Sequence, residues 1–388
     1  MSVTKRRIFV ATTSRADFGI YQPVFKALAS DPRIEASLLV SGDHVPLLEQ
    51  GNDMRAARLA RQSGLRLAGL IPMPLGSGNS VAIGAAMAQV TAGASEFFFA
   101  VRPDVLLVLG DRYEMHAVVV AASAHKVPVA HIHGGEESEG AVDNLYRHSL
   151  TKLSHLHFCA TALSEQRILA MGEEPWRVFL TGAPSLDGIA ETKILDRKAL
   201  GIEVKLPDGP FLLATYHPET MRSDKTVDDL DEMIAALDEI AMPTLFSQAN
   251  SDELGQEINR RLKLHSKRCP WMILHNSLGR HKYFSAMLHA AVMVGNSSSG
   301  IIEAASFSLP VINIGGRQKG RERSANVVDV PPERSAVIKA VRNAIEHGRL
   351  EVENVYGDGH ASQKITKVLA EITVDSRLLI KRFNLNSV

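Results

Sequence analysis

The sequence predicts an α/β protein built from two doubly wound, Rossmann-like domains facing a cleft. Three observations carry that reading. Ten short runs are apolar at consecutive positions, helical patterns separate them, and one long, charged, turn-rich segment interrupts the series. Strands covered by helices on both faces read as continuous apolar runs rather than as alternation, and their regular exchange with helices indicates βαβ units and parallel sheets.

Taken in order, the first set of strands is RIFVA (7–11), ASLLV (36–40), DVLLVLG (104–110), VPVAHIH (127–133) and HLHFCA (155–160). The second is FLLATYH (211–217), PTLFS (243–247), WMILH (271–275), VMVGN (292–296) and PVINIG (310–315). Helical patterns cover 81–99, 227–240, 282–290 and 335–347. The interrupting segment, about 182–208, places an N-terminal domain over 1–185 and a second over 186–365. The remainder, 366–388, is helical in composition and is expected to pack back on the N-terminal domain.

Lys plus Arg and Asp plus Glu number 43 each, so no global field draws the chain to nucleic acid or to an anionic membrane. Cys159 and Cys269 lie far apart without a CxxC or Cys/His metal spacing, and both are expected to be small buried hydrophobes. The first apolar run is only strand-length, too short for a signal-peptide core or a membrane span. A cytoplasmic setting follows as an expectation.

Ligands of open parallel sheets bind beyond the carboxyl ends of the strands, so the residues there are the ones to read. GNSSSGIIEAA (295–305) follows one strand and opens a helix, whose free N–H groups and the hydroxyls of Ser297, Ser298 and Ser299 suit an anion. A plain serine cap with a glycine turn would look the same. INIGGRQKGRER (312–323) adds Arg317, Lys319, Arg321 and Arg323, and guanidinium groups fit diphosphate oxygens well. Glu303 is placed to accept from a ribose diol, or to serve as an ordinary helix-dipole partner. Arg15 and Arg112, after strands of the first domain, are candidates for the same diphosphate. Together these residues suggest a nucleotide-diphosphate ligand held mainly by the second domain.

The first domain collects carboxylates. Asp111 ends one strand in LGDRYE, and HIHGGEESEG brings His133 and Glu136 after the next. Asp143 opens the helix DNLYRHSLTKLSHL; it and Asp111 would also serve as helix caps. Several carboxylates in one cleft raise some pKa values, so that one acts as acid and another as base near neutrality. His131, within the strand run, is expected to be scaffold, and no HExxH or facial 2-His-1-carboxylate pattern supplies a metal-ligand set. His217 is in type a titrator near pH 7, placed to touch phosphate or a leaving oxygen.

SRADFG (14–19), GDRYE (110–114), HIHGGE (131–136), DNLYRHSLTKLS (143–154), YHPET (216–220), GNSSSGIIE (295–303) and INIGGRQKGR (312–321) run in one order over residues 14–323. In that combination the chain resembles the hydrolysing UDP-N-acetylglucosamine 2-epimerases of bacterial sialic-acid synthesis, and more distantly the non-hydrolysing 2-epimerases. The resemblance implies a glycosyltransferase-B-like fold with the active site between domains, no metal or redox cofactor, and a homodimer or homotetramer. It puts UDP contacts on Arg15, Arg112, His217, Asn250, Ser297, Ser298, Glu303 and Arg317. It puts catalysis on Asp111, Asp143 and an acidic residue of the HGGE segment. The non-hydrolysing relatives carry glutamate where this chain has His133, so either His133 or Glu136 takes over that glutamate's work.

The implied reaction converts UDP-N-acetylglucosamine and water to N-acetylmannosamine and UDP through 2-acetamidoglucal, and UDP-2,4-diacetamido-2,4,6-trideoxyglucose is the runner-up substrate. A glycosyltransferase would share the nucleotide end but require an acceptor and leave C2 uninverted. A nucleotide-sugar sensor would tolerate loss of Asp111 and Asp143.

Overall fold

The computed structural model describes residues 5–47, 49–74, 80–139, 142–219, 224–249 and 253–385. The chain divides into two compact units: Met1–Glu136 with Asp143–Asp187 and Tyr356–Val388, and Glu137–Val142 with Gly188–Val355.

In the first unit, strands β1 (Arg6–Thr12), β2 (Ile34–Val40), β3 (Arg66–Leu70), β4 (Val105–Leu109), β5 (Val129–Ile132), β6 (Leu156–Cys159) and β7 (Val178–Leu180) form one sheet. The order is β3-β2-β1-β4-β5-β6-β7 and every pairing is parallel. The apolar runs have their expected cause. Along β4, Val105, Leu107 and Leu109 enter the core on one face while Leu106 and Val108 enter the core on the other. Both cores exclude water, so a truncation such as Leu107→Ala removes about 2–5 kcal/mol.

The second unit repeats the plan with β8 (Leu212–Thr215), β9 (Thr244–Ser247), β10 (Met272–His275), β11 (Val292–Gly295), β12 (Val311–Ile314) and β13 (Val327–Val330). Its order is β10-β9-β8-β11-β12-β13, again all parallel. In each sheet the chain reverses its direction of growth beside the first strand, between β1 and β4 and between β8 and β11. These are the switch points at which such sheets bind ligands.

All ten strands expected from the apolar runs are present. Three more, β3, β7 and β13, lie at sheet edges and are partly exposed. The chain returns to the first unit at Tyr356, ten residues before the expected tail. Tyr356 is buried and its carbonyl accepts from the Ala183 N–H at 2.8 Å. The Asp187 carboxylate then accepts from the N–H groups of Ala361, at 2.9 Å, and Ser362, at 2.5 Å, where the helix Ala361–Glu371 begins. Ile365, Leu369 and Leu378 complete the first unit's core.

Among the described residues one helix, Ser80–Ala100, is long and apolar enough to cross a membrane by length and composition. One stripe of it, Ala86, Val90, Ala94 and Phe98, packs into the first unit's core, while Val81 and Phe99 are exposed.

Candidate active site

The first unit's candidates gather around an arginine that the sequence reading passed over. Gly110, with φ +84°, turns the chain after β4 and presents Asp111 and Arg112 before the helix Tyr113–Ala124. After β5, His133 sits at φ +65°. A non-glycine residue in that region costs about 1–2 kcal/mol, and such strain persists only where neighbours fix it. Here the His133 N–H donates to the Phe158 carbonyl on β6 at 3.1 Å, and its Nδ1 lies 2.5 Å from Glu136 Oε1. Both side chains are buried. The intervening turn requires glycine: Gly135 has φ +75°, and a Cβ there would stand 2.2 Å from the Ser164 carbonyl oxygen.

Arg147 follows Asp143 by four residues on the helix Asp143–Leu153, so the two share a helix face. Its guanidinium is 2 % exposed, forms a close ion pair with the Asp111 carboxylate and donates to the Glu136 carbonyl at 2.9 Å. Burial opposes the Arg147 charge, but Asp111, Glu136 and Asp143 all act on it and hold it firmly protonated. Asp111, Glu136 and Asp143 thus converge on one cation. Burial, and then the neighbouring Asp111 charge, push the Asp143 carboxyl up to about 6. A carboxyl near that value exchanges protons readily at neutral pH.

The remaining first-unit candidates are placed less directly. Arg112 donates to the fully buried Glu114 at 2.6 and 3.1 Å and lies 3.4 Å from Asp43. Arg15 is exposed at the first position of the helix Arg15–Ser30. Asp17 of the SRADFG motif is a buried cap, accepting from the N–H groups of Thr13 and Ser14 at 2.9 and 3.0 Å. His131 is buried, pushed down to about 3 by burial, and its Nε2 lies 2.8 Å from the Gly110 carbonyl oxygen.

In the second unit the switch point is tied across the sheet. His217 N–H donates to Asn296 Oδ1 at 2.7 Å, and Asn296 Nδ2 returns a bond to the His217 carbonyl at 2.8 Å. Arg317 Nη1, at 3.1 Å, and Gln318 Nε2, at 2.9 Å, both donate to the Asn296 carbonyl. Gly295 makes the approach possible. Its φ is +134°, and a Cβ there would lie 1.9 Å from the Thr215 carbonyl oxygen. Ser297 then caps the helix Ser298–Ile302, which Glu303 closes. Tyr283 bonds among Ser299, Thr215 and Ser297; burial, with the Glu303 charge adding to it, pushes its phenol up to about 12. His217, Ser297, Ser298, Glu303 and Arg317 therefore lie beyond the carboxyl ends of the neighbouring strands β8, β11 and β12, with Tyr283 and Gln318 beside them. Asn250 lies outside the described residues.

Two expectations change. His217 does not titrate near pH 7, because burial and then the Arg317 charge push it down to about 3. The basic loop is also partly spoken for within its unit: Lys319 pairs with Glu139 at 2.7 Å and Arg323 with Asp329 at 2.7 Å.

The family profile described as UDP-N-acetylglucosamine 2-epimerase matches residues 26–370. The chain belongs to that family. It is 36% identical to the UDP-N,N'-diacetylbacillosamine 2-epimerase (hydrolyzing) of Legionella pneumophila over 97% of this chain and 98% of the relative. It is 33% identical to the GDP/UDP-N,N'-diacetylbacillosamine 2-epimerase (hydrolyzing) of Campylobacter jejuni, over 84% and 85%. Among solved structures, the UDP-GlcNAc 2-epimerase of Neisseria meningitidis bound to UDP-GlcNAc superimposes with a TM-score of 0.78 at 17% identity, covering 94% of this chain and all of that one. The epimerase fold, two α/β units of the glycosyltransferase-B-like kind, is thereby shared.

Proposed function

We propose that this epimerase is of the hydrolysing type, taking a UDP-2-acetamido sugar and water to the free 2-epimeric sugar and UDP. One observation carries the reading: Asp111, Glu136 and Asp143 converge on Arg147, with Asp143 raised to about 6 and His133 bonded to Glu136.

The C2 proton is not alpha to a carbonyl, so its removal must be coupled to loss of the C1 substituent. A base takes H2, the C1–C2 double bond forms, and the C1–O bond breaks with its electron pair leaving on the diphosphate. Water then adds, hydroxyl to C1 and a proton to C2 from the opposite face. Two faces call for two proton-handling groups. Asp143 is one, and the His133–Glu136 pair, which can hold or release one proton between imidazole and carboxylate, is the other. Arg147 keeps Asp111 and the Glu136 backbone in place and acts as a positioning residue. The Asn296–Ser299 segment and Arg317 receive the departing diphosphate, with Arg15 and Arg112 as further donors, and Glu303 accepts from the ribose. Neutral His217 serves as a hydrogen-bonding group there.

Two substrates fit this chemistry. UDP-N-acetylglucosamine was the first expectation from sequence. The Legionella and Campylobacter relatives, matched over most of their lengths, favour UDP-2,4-diacetamido-2,4,6-trideoxyglucose. Incubating the purified protein with each UDP-sugar and following the anomeric protons by NMR decides between them. The trideoxy substrate is expected to release a free 2,4-diacetamido mannose-configured sugar at the higher kcat/KM. Turnover of neither substrate would sink the proposal.

A further inference from the structure

At the amino ends of the second sheet's strands, opposite the ends that carry Asn296–Ser299, three side chains converge that the epimerase reaction does not use. Asp238 lies near the C-terminal end of the helix Thr226–Ile240, His265 near that of Glu253–Ser266, and Cys269 three residues beyond the latter. Both helices end where β9 and β10 begin, whereas the diphosphate segment follows the far ends of the strands. Cys269 Sγ is 3.1 Å from His265 Nε2 and 3.5 Å from Asp238 Oδ1, and His265 Nε2 is 3.0 Å from the same Asp238 oxygen. Among the described residues no other group of three metal-capable side chains closes in this way.

The triangle is not the relay of a nucleophile and base. In a relay the carboxylate and the thiol approach different nitrogens of the imidazole, whereas here both approach Nε2. A neutral imidazole and a thiol bring at most two protons to three mutual contacts, so one ion facing all three atoms suits them better than hydrogen bonds do. The spacing agrees. Tetrahedral zinc, with bonds of ~2.3 Å to sulfur and ~2.0–2.2 Å to nitrogen and oxygen, sets its ligands about 3.3–3.6 Å apart. The three edges here, 3.0–3.5 Å, come close to one face of that tetrahedron. Sulfur, imidazole and carboxylate form a borderline-soft donor set that favours zinc-like ions over calcium or magnesium. The side chains of His265 and Asp238 are 25% and 40% exposed, which leaves the fourth position open to water.

We propose that Asp238, His265 and Cys269 bind one zinc-like divalent cation that ties the ends of these two helices together, apart from the epimerase site. Binding exchanges the Cys269 thiol proton for the metal, so each ion bound releases one proton to solvent. Neither a Cys/His spacing nor a 2-His-1-carboxylate pattern marks the site in sequence. A single His265-x-x-x-Cys269 pair says little, and Asp238 arrives from the preceding helix. Cys269 is accordingly not the buried hydrophobe expected from sequence, while Cys159 is.

The test titrates the full-length protein, freed of metal by chelation and desalting, with Co²⁺ alone. The expected result is a thiolate-to-cobalt charge-transfer band in the near ultraviolet that saturates at one ion per chain and is displaced by Zn²⁺. Cys159 is fully buried, so the band reports Cys269. Cys269→Ser should abolish the band, and Asp238→Asn and His265→Gln should each weaken Co²⁺ binding at least about tenfold, the least that even outer-shell changes cost. UDP release from the sugar substrate should stay unchanged in all three. Absence of the band in the native protein, its survival in Cys269→Ser, or undiminished affinity in both other variants overturns the proposal. Circular dichroism of each variant excludes misfolding as the cause of a lost signal.

Discussion

Asp143→Asn isolates the conflict between stability and function at the site. Burial and the Asp111 charge raise the Asp143 carboxyl from its ordinary 3.8 to about 6 in the folded protein. A carboxyl whose folded pKa exceeds its unfolded one prefers its proton in the folded state. It disfavours folding increasingly as pH rises from the unfolded value through the folded one, fully above the latter, and the penalty vanishes below the unfolded value. The shift of roughly two units corresponds to about 3 kcal/mol. A charged Asp in a first helical turn regains ~0.3–1 kcal/mol from the helix dipole, which leaves a net penalty of about 2 kcal/mol at pH 8. Asparagine keeps the shape and removes the charge. At about 2–4 °C per kcal/mol for a unit of 150–250 residues, the variant should melt roughly 4–8 °C higher than the native protein at pH 8. Below the unfolded value, near pH 3, the two should melt together, and near pH 4 most of the gain should already be gone. Differential scanning fluorimetry across that range, with turnover measured in parallel, is the assay. Turnover should fall at least about 10²-fold, the usual worth of a positioned proton-transfer group. Equal melting temperatures at pH 8, or a gain that persists undiminished at pH 4, would refute the electrostatic account of Asp143.

Asp111→Asn removes the second cause of that shift, so the acid limb of the kcat profile, expected near pH 6 in the native protein, should move to lower pH; a stationary limb assigns it to another group. Arg147→Met leaves Asp111 facing an uncharged side chain and the Glu136 carbonyl without its donor, and should cost about 3–5 kcal/mol in chemical denaturation. Gly295→Ala meets both a strained φ, worth about 1–3 kcal/mol, and direct overlap with the Thr215 carbonyl, so loss of UDP binding by calorimetry should accompany lost stability. Arg317→Ala removes a charged donor from the diphosphate and should weaken UDP binding at least about tenfold, from ~1.5–3 kcal/mol per charge-assisted bond, with KM rising more than kcat falls.

What the sequence revealed of the fold followed from burial. Nine of the ten strands visible as apolar runs lie inside their sheets, such as β4, all five of whose residues are buried, and the tenth, β10, is an edge strand. The three it did not show are edge strands. Arg66 and Leu67 of β3, and Val328 and Asp329 of β13, are exposed, so their sequences carry no unbroken apolar run. At the site, strand ends exposed Asp111, His133, Glu136 and the Asn296–Ser299 segment, because position after a strand is itself a signal. Arg147 was legible in principle from its i+4 spacing after Asp143, but spacing cannot say that its side chain turns inward to Asp111. The pKa of His217 was illegible for a related reason: burial and a charge from Arg317, 100 residues later, set it. The choice between His133 and Glu136 becomes a different question, since the two side chains are joined at 2.5 Å.

The central claim is that the C2 proton is lost and regained while water takes the place of UDP at C1. Turnover of the UDP-sugar in deuterated water, read by NMR and mass spectrometry of the sugar product, tests it most directly. The account predicts a free, 2-epimerised reducing sugar carrying one deuterium at C2, released with an equal amount of UDP. A product that keeps its original hydrogen at C2, or an epimer still joined to UDP, would contradict it.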